Sequence, residues 1–152
     1  QGVYLGRQRI EAFLTRAVTL KDGEVRETPV MQGVIHVAPD GRTAKARWRS
    51  LVLGGQHGAD GTWMEGPYEN EYVKEDGTWR LMKLHWYTTV AGGYDQGWHR
   101  TALPIAGPLR DLPPDRAPSE VYQAFPSFYL PPYHYLNPIT GKPVAWPQAV
   151  AP

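Results

Sequence analysis

Apolar residues recur at helical spacing near the start of the chain and at strand spacing through its middle. Ile10, Phe13, Leu14 and Ala17 fall three or four apart with charges opposite, which predicts an amphipathic helix over residues 7–19. Asp22-Gly23 signals a turn. A strand is expected over residues 30–37, closed by Ala38-Pro39-Asp40-Gly41. The next, residues 43–53, alternates: Ala44, Ala46, Trp48, Ser50 and Val52 face one way, Lys45, Arg47 and Arg49 the other. On that pattern Arg47 and Arg49 are surface charges, although a curved sheet can turn either inward. GGQHGADG reads as a loop. A third strand is expected over residues 62–74 and a fourth over 78–90, joined by the hairpin signal Glu75-Asp76-Gly77. One helix followed by strands on short turns predicts an α+β fold, a curved antiparallel sheet packed on helices.

The pattern stops near Gly92. Residues 101–152 hold twelve of the fifteen prolines, which cannot extend a sheet; only a short helix near residues 119–124 is expected. The segment also carries Tyr122, Phe125, Phe128, Tyr129, Tyr133, Tyr135 and Trp146. A disordered tail is poor in aromatics. The expected organisation is therefore a domain over residues 1–100 and an ordered arm over residues 101–152, lying on its own domain or on a neighbouring subunit. The alternative is a partly disordered tail.

Charge narrows the partners. Sixteen Lys and Arg balance fifteen Asp and Glu, with no basic stripe, so nucleic acid is not an expected partner. No apolar run reaches membrane-spanning length. The absence of Cys removes disulfides and thiolate chemistry. A cytoplasmic location is the default expectation. The five histidines (36, 57, 85, 99 and 134) show neither HxH nor HExxH spacing, so no metal is expected. LVLGGQHGADG lacks the Lys-Ser/Thr end of a phosphate loop, no GxSxG elbow occurs, and no cofactor is expected.

The stretch EGPYENEYVKEDGTWRLMKLHWY, residues 65–87, resembles the last hairpin of the SnoaL-like, or nuclear-transport-factor-two-like, superfamily. Gly66, Tyr68, Asn70, Tyr72, Gly77, Trp79, Arg80 and Leu81 carry the likeness. Upstream, GVYLGRQRIEAFL is similar to the family's third helix, and His36 and DGRTAKARW stand where the family would put them. The resemblance covers roughly residues 2–90. It implies a cone, with a curved sheet wrapping helices around a pocket. It also implies two helices and a short strand ahead of Gln1, so the chain reads as N-terminally incomplete, with a second chain as one possible source of that segment. The Pro-rich arm lies outside the family pattern, and similar arms suggest a homo-oligomer, dimer or trimer.

Site candidates follow from chemistry. His85 is the sharpest: an imidazole at the mouth of an apolar cone can serve as general acid or base. The plainer reading is a His bonded to backbone at a sheet rim. His36 has a similar case, weakened by neighbours Val34 and Ile35 that read as core. Tyr68 and Tyr87 could donate to a developing oxyanion, or be ordinary sheet aromatics. Glu65 and Asn70 could orient a ligand at the rim. Trp48, Trp63 and Trp86 could wall a pocket for aromatic rings, or simply fill the core. Glu65, Glu69 and Glu71 share a face that reads as solvated. A bulge near the end of the fourth strand would exchange its faces. Alternation thus leaves open whether His85 and Tyr87, or Trp86 and Thr88, point inward.

The expected function is a cofactor-free lyase or dehydratase acting by acid–base chemistry on a hydrophobic, hydroxylated aromatic or polycyclic small molecule. The resemblance extends to bacterial lyases of lignin-derived diaryl compounds, ketosteroid-type isomerases and polyketide cyclases. The contrasting expectation is a non-catalytic ligand-binding or assembly module of the same fold.

Overall fold

The computed structural model describes residues 1–16 and 19–145. Ala17, expected on the helix face, and Trp146, expected in the arm, lie outside the described residues. The chain runs α1 (Arg7–Thr15), β1 (Glu24–Glu27), β2 (Val30–Val37), β3 (Thr43–Gln56), β4 (Gly61–Glu75), β5 (Thr78–Lys83) and β6 (Val90–Gly93). Strand pairing is antiparallel and the class is α+β, as the pattern predicts. Two compact units form: residues 1–29, 51–65 and 88–129, and residues 30–50, 66–87 and 130 onward. The long strands β3 and β4 contribute to both.

In the first unit, β1 pairs with the end of β3 and β6 with the start of β4. The sequence pattern misses β1 because Glu24-Val25-Arg26-Glu27 offers one apolar side chain in four; backbone pairing alone makes it a strand. Helix α1 is shorter than expected and buries no residue. Phe13 stacks on Tyr4 with centroids 4.5 Å apart, and Arg9 pairs with Asp115 at 3.1 Å. The Pro-rich chain is tied to this unit strand-fashion: Val3 bridges Arg116, and the Phe125 amide donates to the Thr89 carbonyl at 2.8 Å. No helix forms at residues 119–124. Pro118 and Pro126 leave too few residues between them to nucleate one, and the Phe125 amide is taken by strand-like bonding.

In the second unit, β2 pairs with β3 from Val30↔Ser50 to Val37↔Ala44, with a bulge between Met31 and Val34. All eight β2 residues are exposed, so Val34 and Ile35 are not core; β2 is an outer strand paired to β3. The β4–β5 hairpin closes on Asp76 (φ 48°) and Gly77 (φ 78°), the doubly positive turn that matches strand twist. The expected fourth strand is broken. Met82 is an extra residue between the pairs Tyr72↔Leu81 and Glu71↔Lys83. Pairing then continues as an isolated bridge, Tyr68↔Trp86, before β6 begins at Val90. The buried side chains here include the apolar Ala44, Ala46 and Tyr87 and the polar Arg47, Ser50 and Asn70.

Candidate active site on one face of the second unit

Register decides what the sequence pattern leaves open at residues 85–88. The Tyr68↔Trp86 bridge is flanked by Glu69 N–H to His85 O at 2.8 Å and Tyr87 N–H to Pro67 O at 2.9 Å. His85 is therefore opposite Glu69, and directly opposite residues share a face. His85 and Tyr87 point to the side of Glu69; Trp86 points to the side of Tyr68. On β2 and β3, His36 pairs with Lys45, which puts it on the face of Lys45 and Arg47.

On that polar face four side chains form a line. Arg47 Nη1 donates to Glu69 Oε1 at 2.5 Å. The other carboxylate oxygen, Oε2, meets His134 Nδ1 at 2.7 Å. His134 Nε2 lies 2.9 Å from His36 Nδ1. Arg47 and Glu69 side chains keep 11% and 12% of their exposure and His134 keeps 7%, whereas His36 is exposed. A buried Arg–carboxylate pair persists only when its remaining bonds are made. Here Arg47 also donates to the Pro132 carbonyl at 3.0 Å and lies 3.7 Å from the Tyr133 ring centroid.

Two expectations are corrected. Arg47 is buried rather than a surface charge. Glu69 belongs to no solvated face, because the chain after Leu130 covers it with His134.

The line has a direction. The carboxylate requires a proton on His134 Nδ1, so neutral His134 offers Nε2 as acceptor. His36 then donates from Nδ1 and keeps its lone pair on Nε2. Aromatic rings surround the line: Tyr135 is 5.4 Å from His36 and 4.9 Å from His134, centroid to centroid. Burial pushes the Tyr135 phenol above its usual value despite the opposing Arg47 charge, so it stays a donor. The His85 ring stacks on Tyr87 at 4.0 Å. Among the described residues no three His, Asp or Glu side chains converge as a metal site; these run in series.

The opposite face holds Trp48, Tyr68, Asn70 and Trp86. Trp86 Nε1 donates to Ser50 Oγ at 3.1 Å, and Ser50 donates to the Gly66 carbonyl at 2.8 Å. Trp48 Nε1 donates to Tyr72 OH at 3.2 Å, and its ring lies against Gly33. Asn70 Nδ2 reaches the same hydroxyl at 3.3 Å, and its Oδ1 accepts from the His85 amide at 3.2 Å. Burial raises the Tyr68 phenol above its usual value. The expected site residues thus divide: His36, His85 and Tyr87 share one face, and Tyr68, Trp48, Asn70 and Trp86 share the other. Trp63 and Glu65 belong to the first unit, where Trp63 pairs with Gly92 and Thr89 Oγ1 donates to Glu65 Oε2 at 2.6 Å. An open depression of about 670 Å³, lined by residues including Arg42, Val73 and Lys74, shares none of these side chains.

Glu69, Arg47 and His134 are the members that pattern reading missed. Parity signals Glu69 and Arg47 only as face-mates. Nothing near His134 in sequence points to β4, because the two partners are 65 positions apart.

No described helix is long and apolar enough to cross a membrane. The family model of the SnoaL-like domain matches residues 1–85, more than half the chain, and the chain belongs to that family. No curated protein sequence matches it. Tyr133, His134 and Tyr135 lie beyond the matched residues.

Proposed function

We propose that this SnoaL-like domain is a cofactor-free acid–base enzyme, a lyase of the dehydratase kind, acting on a hydrophobic, hydroxylated aromatic molecule. The family includes cofactor-free enzymes, which makes the class available. The observation that carries the reading is the exposed His36 backed in series by His134 and Glu69. His36 Nε2 takes a proton from the carbon next to the one bearing the hydroxyl. His36 then passes its Nδ1 proton to His134 Nε2, and the resulting charge lies beside the Glu69 carboxylate. The C–H electron pair becomes the new double bond. The C–O pair leaves with oxygen, which receives the proton back and departs as water. Tyr135 is the donor available to the oxygen, and the rings of Tyr135 and His85, the latter backed by the buried Tyr87, supply apolar surface on that face. A lignin-derived diaryl compound fits that description. Return of the proton to a second carbon would make the same groups an isomerase, and product analysis separates the two.

The test is turnover of hydroxylated diaryl substrates by His36→Gln and His134→Gln. A fall of roughly 10²–10⁴-fold in kcat is expected of each if the rings move protons. Unchanged turnover in folded variants removes the line from catalysis. A second reading, a ligand-binding or assembly module, draws on the indole face, where Trp48 and Trp86 direct their N–H groups to internal partners. It predicts ligand binding without chemical change.

A further inference from the structure

The same two imidazoles hold the chain after Leu130 against the sheet, and hydrogen counting sets a limit on how they can do so. The geometry points to a one-proton latch: the His36–His134 contact survives with no added proton or one, and a second proton opens it and frees the segment around residues 133–135. This goes beyond the catalytic reading, because it concerns whether the segment stays docked and holds whether or not the protein turns anything over.

With both rings neutral, His134 donates through Nδ1 to Glu69 and accepts through Nε2 from His36 Nδ1. Adding one proton makes His134 a donor at both nitrogens. His36 responds by moving its own proton to Nε2 and accepting at Nδ1, so both contacts remain and the bond to Glu69 becomes charge-assisted. Adding a second proton puts N–H groups on both facing nitrogens, 2.9 Å apart, with like charges. No tautomer relieves this, and one ring must leave.

The surroundings make His134 the ring that moves. His36 is carried on β2, which is paired along its length to β3. His134 is carried on a segment with no strand pairing of its own at residues 131–135. The charged and titratable groups facing the pair come from each neighbouring element. From β3 they are Arg47, and Lys45 opposite His36. From β4 comes Glu69, while Glu71 on the same face pairs with Lys83 at 3.5 Å. From the stretch after β5 comes His85, opposite Glu69. From the docked segment come Tyr133 and Tyr135. Among the described residues Glu69 is the carboxylate bonded to the pair, with Arg47 and Lys45 beside it and Arg49 next along the same face of β3, so the second proton adds to a positive surplus. Release exposes Arg47 as well, because Pro132 and Tyr133 cover it.

The experiment is an NMR titration of the full chain from about pH 8 to about pH 5, where imidazoles gain charge. It follows the ring carbons of His36 and His134 and the ring resonances of Tyr133 and Tyr135, which pack on Arg47 and His36. The latch requires the two rings to report shared steps, as coupled sites do. It also requires the Tyr133 and Tyr135 ring resonances, set by Arg47 and His36 beside them, to hold through the first step and to move to unfolded-chain values in the second. His36→Gln sharpens this. A Gln side chain can donate or accept but cannot charge, so the low-pH release should vanish until Glu69 itself is protonated. Independent titration of the two rings overturns the latch. So do Tyr133 and Tyr135 ring resonances that stay put through both steps, or release in His36→Gln at the wild-type pH. If that variant fails to fold, the wild-type titration decides alone.

Discussion

The two faces of β3 and β4 in the second unit are made from interleaved residues of the same strands, yet they are held by different means. On one face, Arg47 and Glu69 reach each other across 22 positions, and Glu69 reaches His134 across 65. On the other, Trp48, Tyr72, Trp86 and Ser50 find partners within 36 positions, all inside the sheet strands and their continuation. The indole face is closed by residues that alternation already places together. The polar face is completed by a segment that alternation cannot see. A carboxylate that would be solvated on a bare sheet becomes the centre of an ion pair and a histidine line once that segment is docked.

Breaking the polar face should have the larger effect on stability. Glu69→Gln leaves Arg47 buried without its counter-charge and removes the acceptor charge from His134. A loss of about 3–5 kcal/mol is expected, measured by urea unfolding. A loss below about 1 kcal/mol would show that Arg47 reaches solvent and that the face is held otherwise. On the indole face, a Cβ on Gly33 would stand 2.3 Å from the Trp48 ring, which the Tyr72 hydroxyl holds in place. Gly33→Ala should cost about 1–3 kcal/mol by the same measurement, with turnover retained. An equal loss of turnover would instead put Trp48 at the substrate.

The smallest effect concerns Tyr68. Its buried phenol titrates above its usual value, so the folded state favours the protonated form. The stability this contributes is complete below about pH 10 and is lost as pH rises through the folded value. Tyr68→Phe should flatten the fall of Tm between about pH 9 and about pH 11. An unchanged slope would assign the alkaline loss to Tyr122, Tyr129 and Tyr135, whose phenols are also raised.

Much of the fold is legible in the sequence. Strand β2 has the expected bounds, the Glu75-Asp76-Gly77 turn is where its φ preferences put it, and strands β3 and β4 run slightly longer than their alternation indicates. Strand β1 was not legible because its side chains carry no period. The break after Lys83 was legible only as a possible bulge, since one extra residue such as Met82 is set by pairing across strands rather than by composition. Of the site, His36, His85 and Tyr87 were readable as titratable or phenolic groups at strand positions. Their union with Glu69, Arg47 and His134 was not.

By itself the sequence determined the class of fold, the turns and the sharing of faces. These depend on φ preferences and on a side-chain period of two, both properties of neighbours along the chain. Which face gathers the titratable groups was decided by tertiary structure alone. Register places His85 opposite Glu69, and the docking of residues 132–135 takes Glu69 and Arg47 out of water. Charge in a buried site is settled by what surrounds it in space, and here that neighbour comes from the far end of the chain.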